Sequence, residues 1–191
     1  MTFQKHELFT EINDCKSLTG LYSEKNQLKD VSILLIHGAE MEDESDSMVT
    51  SWIMGSDFIT VFAAEDITKF SYNFLSQFDV RLSSVEYPAS CVIADERYRL
   101  LCGDTAYELL KNGKTECATN FVTVLSGEET FPEQAQAYVR RVCGDKTQAQ
   151  IKVLTKCLRS AVRGGTEAVL AAESEGFYAL MAQKTEDASN E

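Results

Sequence analysis

The spacing of apolar residues in the first part of the chain predicts one helix and one buried strand. Leu8, Ile12 and Cys15 recur at intervals of four and three residues, which places them on one face of a helix over residues 5–18. Residues 31–38 (VSILLIHG) form a nearly continuous apolar and β-branched run that ends at a glycine. Such a run is typical of a strand covered on both faces, as in a parallel sheet.

The middle of the chain predicts short strands separated by helices. The strand candidates are apolar and lie at residues 58–62, 91–94 and 120–125. Two helices are predicted between them. Residues 65–78 have apolar residues at helical spacing, and residues 105–110 have helix character that ends at Asn112-Gly113.

The last sixty residues predict helices only. A helix is expected over residues 131–143, with Pro132 tolerated in its first turn. Amphipathic patterns predict two more helices, at residues 148–162 and 166–183, with a break at the Gly164-Gly165 pair between them.

This order of elements predicts a mixed α/β fold, with a small parallel-type sheet flanked by helices and a C-terminal helical tail. Residues 1–130 are expected to form the α/β core and residues 131–191 the C-terminal helical region.

Composition narrows the function classes. The chain has 191 residues, 44% of them hydrophobic, and a net charge of −12 without a basic cluster longer than Arg140-Arg141. A core is therefore expected, whereas nucleic acid is not, because its phosphates require a positive surface. No apolar run approaches the roughly 20 residues of a membrane span, and the first residues lack the apolar segment of a signal peptide. The six cysteines form no Cys-x-x-Cys pair, so no metal site is expected and a reducing, cytoplasmic location is predicted.

Candidate chemistry is sparse. The chain has two histidines, of which His37 closes the predicted strand at residues 31–38. His37 fits either a structural role or acid–base catalysis, and the sequence assigns it neither a nucleophile nor an orienting carboxylate. Five acids lie within residues 40–46. They are interpreted as a solvated loop, or as a docking surface, and the glycine and spacing of a calcium loop are missing.

Two predicted junctions between a strand and a helix contain small residues. They lie at Phe62–Ile67 and at Cys102–Thr105. Small residues at a helix start can leave backbone N–H groups exposed, and two such groups aimed at one point can stabilise an oxyanion. Close packing at a turn is the alternative interpretation.

Several segments together resemble the crotonase superfamily, which comprises the enoyl-CoA hydratase and isomerase-like proteins. Residues 28–38 look like the family's strand with a His-Gly turn, and residues 62–67 look like its Phe-Ser-Ala-Gly-Ala-Asp-Leu loop. Residues 87–94 are similar to its Pro-Val-Ile-Ala strand, and residues 101–104 fall at its glycine-rich turn. The tail shows the family's closing pattern of Lys, Glu-x-x-x-Phe and Asp-Ala, at residues 151–188.

The resemblance implies an acyl-thioester site. The backbone N–H groups of Ala64 (or Glu65) and Gly103 would form the oxyanion hole. The flanking residues that would line the substrate site are Ala63, Glu65, Asp66, Cys102 and Asp104. The implied ligand is acyl-CoA or an acyl carrier protein, with no further cofactor, and the implied assembly is a homo-oligomer, a trimer by resemblance.

The chain also departs from the family. Ala106 stands where the family has its first catalytic glutamate, and Glu108 points in a different direction on a helix. The segment that would supply the second glutamate is missing, as is the family's opening β-hairpin. Ordinary hydratase activity is therefore not expected, although isomerisation or decarboxylation would remain open to a site with another base. The alternatives are a non-catalytic, oligomerising interaction or regulatory subunit with a degenerate active site, and an unrelated α/β domain.

Overall fold

A computed structural model describes residues 1–44 and 46–189. For residues 117, 119, 161–166 and 183–189 it describes the backbone alone. Within the described chain, no helix is both long enough and apolar enough to cross a membrane.

The chain forms two compact units, Met1–Gly144 and Asp145–Glu191. The first unit is α/β and contains a six-stranded sheet. Its strands are β1 (Phe3–Lys5), β2 (Thr10–Ile12), β3 (Ile33–His37), β4 (Ile59–Ala63), β5 (Val80–Ser83) and β6 (Thr123–Val124). Its helices are α1 (Leu18–Ser23), α2 (Ser47–Gly55), α3 (Tyr72–Leu75), α4 (Glu96–Cys102), α5 (Asp104–Lys111) and α6 (Phe131–Cys143). Short 3-10 turns lie at Lys25–Leu28, Ala89–Cys91 and Thr115–Phe121.

The strands pair in their order along the chain. β1 and β2 form an antiparallel hairpin, and β2 through β6 are parallel, each hydrogen-bonded to the next. Parallel neighbours need crossover connections, which α1, α2, α3 and the α4–α5 pair supply. The carboxyl ends of five strands therefore lie along one edge of the sheet.

One face of the sheet, the helical face, packs against these crossover helices. It presents Ile12, Leu34, Ile36 and Phe62 to the main hydrophobic cluster. The helices contribute buried side chains to the same cluster, namely Leu18, Leu21, Val49, Ile53, Phe74, Tyr98, Ala106 and Leu110. The core of the first unit therefore lies between the sheet and its crossover helices.

The opposite face, the α6 face, presents Glu11, Leu35, His37, Val61 and Ala63, which alternate with the helical-face residues. Helix α6 follows β6 at one side of the sheet, yet its Gln136 hydrogen-bonds Glu11 of β2. Four strand spacings amount to about 19 Å, and 13 helical residues span about 20 Å. The helix therefore has the length needed to cross this face from β6 to β2.

The acidic run caps helices. Asp46 is the N-cap of α2 and accepts hydrogen bonds from the N–H groups of Met48 (2.8 Å) and Val49 (3.1 Å). Glu44 accepts from the backbone N–H of Thr19 in the first turn of α1. Asp43 accepts from the N–H and hydroxyl of Ser71, the N-cap of α3. Three of the five acids thus satisfy or support helix N-termini, where negative charge is favourable.

The second unit consists of one helical segment, α7 (Gln148–Ser189). Lys156 forms an ion pair with Glu175, and a Cβ on Gly176 would lie 2.2 Å from Cγ1 of Val153. A straight helix would place residues 156 and 175 about 28 Å apart. The two halves of α7 therefore lie side by side and antiparallel, and the chain turns between them.

Several predicted elements are confirmed. The strands expected at residues 31–38 and 58–62 correspond to β3 and β4, and the helices expected at 105–110 and 131–143 correspond to α5 and α6. The α/β class with a mostly parallel sheet is likewise observed. The backbone at Gly164-Gly165 is assigned to helix α7, so the predicted break is not observed there, although the Lys156–Glu175 pair requires the chain to turn between those two residues.

Other predictions are wrong. Residues 5–18 were predicted to form a helix, but they contain the end of the β1–β2 hairpin, the loop after it and the first residue of α1. Residues 91–94 contain no strand, because the chain forms a 3-10 turn at Ala89–Cys91. Only Tyr72–Leu75 is helical within residues 65–78, and the strand expected at 120–125 is limited to Thr123–Val124.

Candidate functional site

The buried carboxylate of Glu11, on the α6 face, is hydrogen-bonded to both histidines of the chain. Glu11 is the central residue of β2, and its side chain is only 1% exposed. His37 is the last residue of β3, and His6 follows β1. Because Glu11 pairs with Leu35 in the parallel register, His37 lies two residues further along the same face, next to the carboxylate.

Three side chains donate hydrogen bonds to Glu11. Nε2 of His37 lies 2.7 Å from Oε1, and Nε2 of His6 lies 2.9 Å from Oε2. The amide nitrogen of Gln136, on α6, lies 3.0 Å from each carboxylate oxygen. We call Glu11, His6, His37 and Gln136 the Glu11 cluster. An ionised carboxylate only accepts hydrogen bonds, so both imidazoles present Nε2–H to it.

Burial and hydrogen bonding set the protonation of the cluster. Burial alone would raise the pKa of Glu11, but the hydrogen bonds from Gln136 and His6 and the proximity of His37 outweigh it and hold this pKa below its usual value. Burial lowers the pKa of His37, against the attraction of Glu11. Near neutral pH the cluster therefore holds a charged Glu11 and a neutral His37.

The histidine nearest the surface is supported by an aromatic ring. His6 stacks on Phe9 with 4.3 Å between ring centroids, and the guanidinium of Arg140 lies 5.6 Å from the Phe9 ring. Arg140 belongs to α6, so the helix contacts the hairpin at two points, Glu11 and Phe9.

The cluster orients an imidazole but shows no metal-binding arrangement. Among the described residues, no group of three or more His, Cys, Asp or Glu is placed to hold a metal ion. With Nε2–H of His37 donated to Glu11, the lone pair of the neutral ring is on Nδ1. The orienting carboxylate that the sequence could not assign to His37 is therefore Glu11.

The first predicted oxyanion residue, Ala64, directly follows strand β4. Ala63 ends β4, and the N–H of Ala64 donates to the carbonyl of Leu82 at 3.0 Å. Glu65 and Asp66 are exposed; the carbonyl of Glu65 accepts from Ser84, and the Asp66 carboxylate accepts from Thr68. Thr68 lowers the pKa of Asp66 through these bonds.

The second predicted oxyanion residue lies between α4 and α5. Gly103 has a φ of 90°, and its N–H donates to the carbonyl of Arg99 at 2.8 Å. Cys102 is half-buried, which raises the pKa of its thiol despite the attraction of Arg81. Asp104 is exposed and pairs with Arg99. Ala106 is buried, whereas Glu108 is exposed.

Both bends approach the main hydrophobic cluster, but their amides are already engaged. Ala64 belongs to that cluster and Cys102 packs against it. The N–H groups of Ala64 and Gly103 nevertheless each donate to a backbone carbonyl, so an oxyanion could be held there only after those bonds open. Their role in an oxyanion hole stays a prediction.

Sequence reasoning missed the Glu11 cluster because its members are dispersed. Gln136 is 125 positions from Glu11, and no local motif connects them. The available signal was the position of Glu11 between the apolar residues Phe9 and Ile12. The same apolar residues also fitted the spacing of a helix. No family model matches the chain, and no curated protein matches it. The resemblance to the crotonase superfamily therefore stays a prediction.

Proposed function

We propose that this protein is an interaction subunit that binds a second copy of itself through its C-terminal helical unit. The observation that carries the proposal is a set of large apolar side chains that α7 leaves exposed. They are Leu154, Leu158, Leu170, Phe177, Tyr178 and Met181, with Phe177 61% and Tyr178 72% exposed. Such side chains cost free energy in water and favour a protein contact.

The spacing of these side chains supports a binding surface. Leu154 and Leu158 are four residues apart, and Leu170, Phe177 and Met181 follow at intervals of seven and four. Each half of α7 therefore carries an apolar stripe along one side, as in helices that pack against other helices. Aromatic residues such as Phe177 contribute most to such contacts.

Charge complementarity favours a second copy as the partner. Residues 148–160 carry Lys152, Lys156 and Arg159 and no acid, whereas residues 167–182 carry three acids and no base. A twofold symmetric contact brings the same surface of two chains together, so the basic half of one would face the acidic half of the other. The Lys156–Glu175 pair shows that the two halves already attract within one chain.

Light scattering on the full chain tests this proposal. The wild-type protein is expected to show the mass of more than one chain, and Phe177→Asp is expected to lower it to that of one chain. Ile93→Asp is the matched control, because Ile93 is an exposed apolar residue of the first unit. A wild-type mass of one chain at every concentration would contradict the proposal, as would equal effects of the two variants.

Acyl-thioester binding stays a second prediction from the resemblance, and the engaged amides do not favour it. Calorimetric titration with acetyl-CoA and crotonyl-CoA tests it directly. Heat of binding with the wild-type protein would support acyl-thioester binding. Absence of heat with the wild-type protein would remove it.

A further inference from the structure

A buried polar cluster joins helix α6 to strand β2 of the sheet. Ala135 and Val139 are its buried apolar residues, and Gln136 makes its hydrogen bonds to Glu11. The guanidinium of Arg140, also on α6, lies over the Phe9 ring of the hairpin. The polar attachment of the helix therefore depends on a carboxylate that must stay ionised to accept all its donors.

The groups that face this carboxylate come from three parts of the first unit. The hairpin supplies His6, β3 supplies His37, and α6 supplies the uncharged Gln136, with Arg140 beyond Phe9. Strand β4 places the apolar Ala63 beside His37. The described contacts of Glu11 thus consist of donors only.

We propose that the Glu11 cluster is a proton-operated latch, which holds α6 on the sheet near neutral pH and releases it in acid. Release uncovers the side of α6 that carries its buried apolar residues, Ala135 and Val139. The latch is thereby a means of exposing an apolar surface in response to acid.

The chemistry of the cluster explains why protons open it. A protonated carboxyl of Glu11 would place a further O–H donor among three N–H donors, and one of its oxygens would lose acceptor strength. A proton on His37 would put a positive charge on a buried ring, and burial opposes that charge more than the attraction of Glu11 favours it. Protonation of Glu11 therefore weakens the bonds that join α6 to β2, and protonation of His37 favours opening of its buried site.

The directions of the pKa shifts agree with opening of the cluster in acid. Both Glu11 and His37 have pKa values held below their usual values in the folded chain. Both groups therefore bind protons more readily once the cluster is open, and acid favours the open form. His37 responds first as the pH falls below about 6.5, and Glu11 responds at lower pH.

Hydrogen exchange of the full chain, read by mass spectrometry, tests the latch. Peptides from α6 are compared with peptides from α2, which packs on the helical face, after correction for the intrinsic pH dependence of exchange. Between about pH 7.5 and pH 5.5, protection of α6 is expected to fall several-fold more than that of α2. Parallel loss of protection in both helices would overturn the proposal.

Variants identify the groups responsible. The variant His37→Gln is expected to lose the selective response of α6 above about pH 5.5, since the buried imidazole is then absent. Arg141→Gln is the control, because Arg141 is an exposed residue of α6 outside the cluster. A His37→Gln variant with the wild-type profile would overturn the latch. If it does not fold, the wild-type comparison of α6 with α2 decides alone.

Discussion

Nε2 of His37 lies 2.7 Å from Oε1 of Glu11, although 26 residues separate them in the chain. The parallel pairing of β2 with β3 brings them to one face of the sheet, and the crossover through α1 sets the register. Because the carboxylate is buried, its hydrogen bonds from His6, His37 and Gln136 are needed to stabilise it. Stability and pH response of the first unit therefore depend on this contact.

Replacing the buried carboxylate should destabilise the protein. Glu11→Gln places an amide N–H₂ among donors that need an acceptor, so the free energy of unfolding is expected to fall by about 2–3 kcal/mol. Urea denaturation at neutral pH measures the change. Glu7→Gln is the matched control, because Glu7 is exposed in the same hairpin. Equal losses in the two variants would show that the cluster contributes nothing.

Stability should rise between acidic and neutral pH. The folded-state pKa of His37 is lowered, so its contribution is present above its unfolded pKa of about 6.5 and is lost as the pH falls through the lower folded value. Glu11 acts in the same direction in more acidic solution, since its pKa is also lowered. Urea midpoints measured from about pH 5 to pH 7.5 should therefore increase, and His37→Gln should reduce the slope. A slope unchanged in that variant would assign the pH dependence to other groups.

The acidic run should stabilise helix α2 through one residue. Asp46→Ala removes the N-cap acceptor for Met48 and Val49, and the expected loss is about 1 kcal/mol. Glu42→Ala, an exposed acid of the same run without a described side-chain contact, should change stability by less than about half of that. Thermal unfolding followed by circular dichroism compares the two. A larger loss from Glu42→Ala would contradict the capping role.

Gly38 should be intolerant of a side chain. A Cβ at this position would lie 2.2 Å from Cζ of Phe62, whose ring is stacked on Phe78 at 4.7 Å between centroids. Gly38→Ala is therefore expected to cost about 1–3 kcal/mol in unfolding free energy. Gly127→Ala is the control, since its Cβ would meet the flexible ends of Glu129 and Gln134.

A second variant checks the cause of the Gly38 effect. Combining Gly38→Ala with Phe62→Leu should cost less than the sum of the two single changes, because the smaller side chain removes the clash. Additive losses would place the strain at Gly38 elsewhere than against Phe62.

Local pattern predicted the elements that local interactions determine. β3 and β4 are apolar on both faces, and α6 has a capping box at Thr130 with proline in its first turn, so these elements could be read from sequence. The β1–β2 hairpin could not, because Leu8, Ile12 and Cys15 fit helical spacing equally well and pairing with β3 decides the outcome. β5 was missed because Arg81 interrupts its apolar pattern, although the guanidinium is buried and donates to the carbonyl of Phe121.

The candidate site was harder to predict than the fold. His37 was identified as a candidate from its place at the end of a strand, but its partner Glu11 lay in a segment predicted to be helical. The capping roles of Asp43, Glu44 and Asp46 were missed. Asp43 and Glu44 act on helices that begin far from them in the chain, whereas Asp46 caps the helix that directly follows it. Contacts of this kind depend on tertiary structure, which spacing along the chain does not encode.

Mixing two charge-reversed variants tests most directly whether the C-terminal helical unit binds a second copy. One variant carries Lys152→Glu, and the other carries Glu173→Lys; both positions are exposed and lie outside the ion pair that Lys156 and Glu175 form within one chain. Light scattering should give the mass of one chain for each variant alone, because like charges would meet across the contact, and the wild-type assembly mass for their equimolar mixture. A mixture that stays at the mass of one chain, or variants that assemble alone as the wild-type protein does, would contradict self-association through this surface.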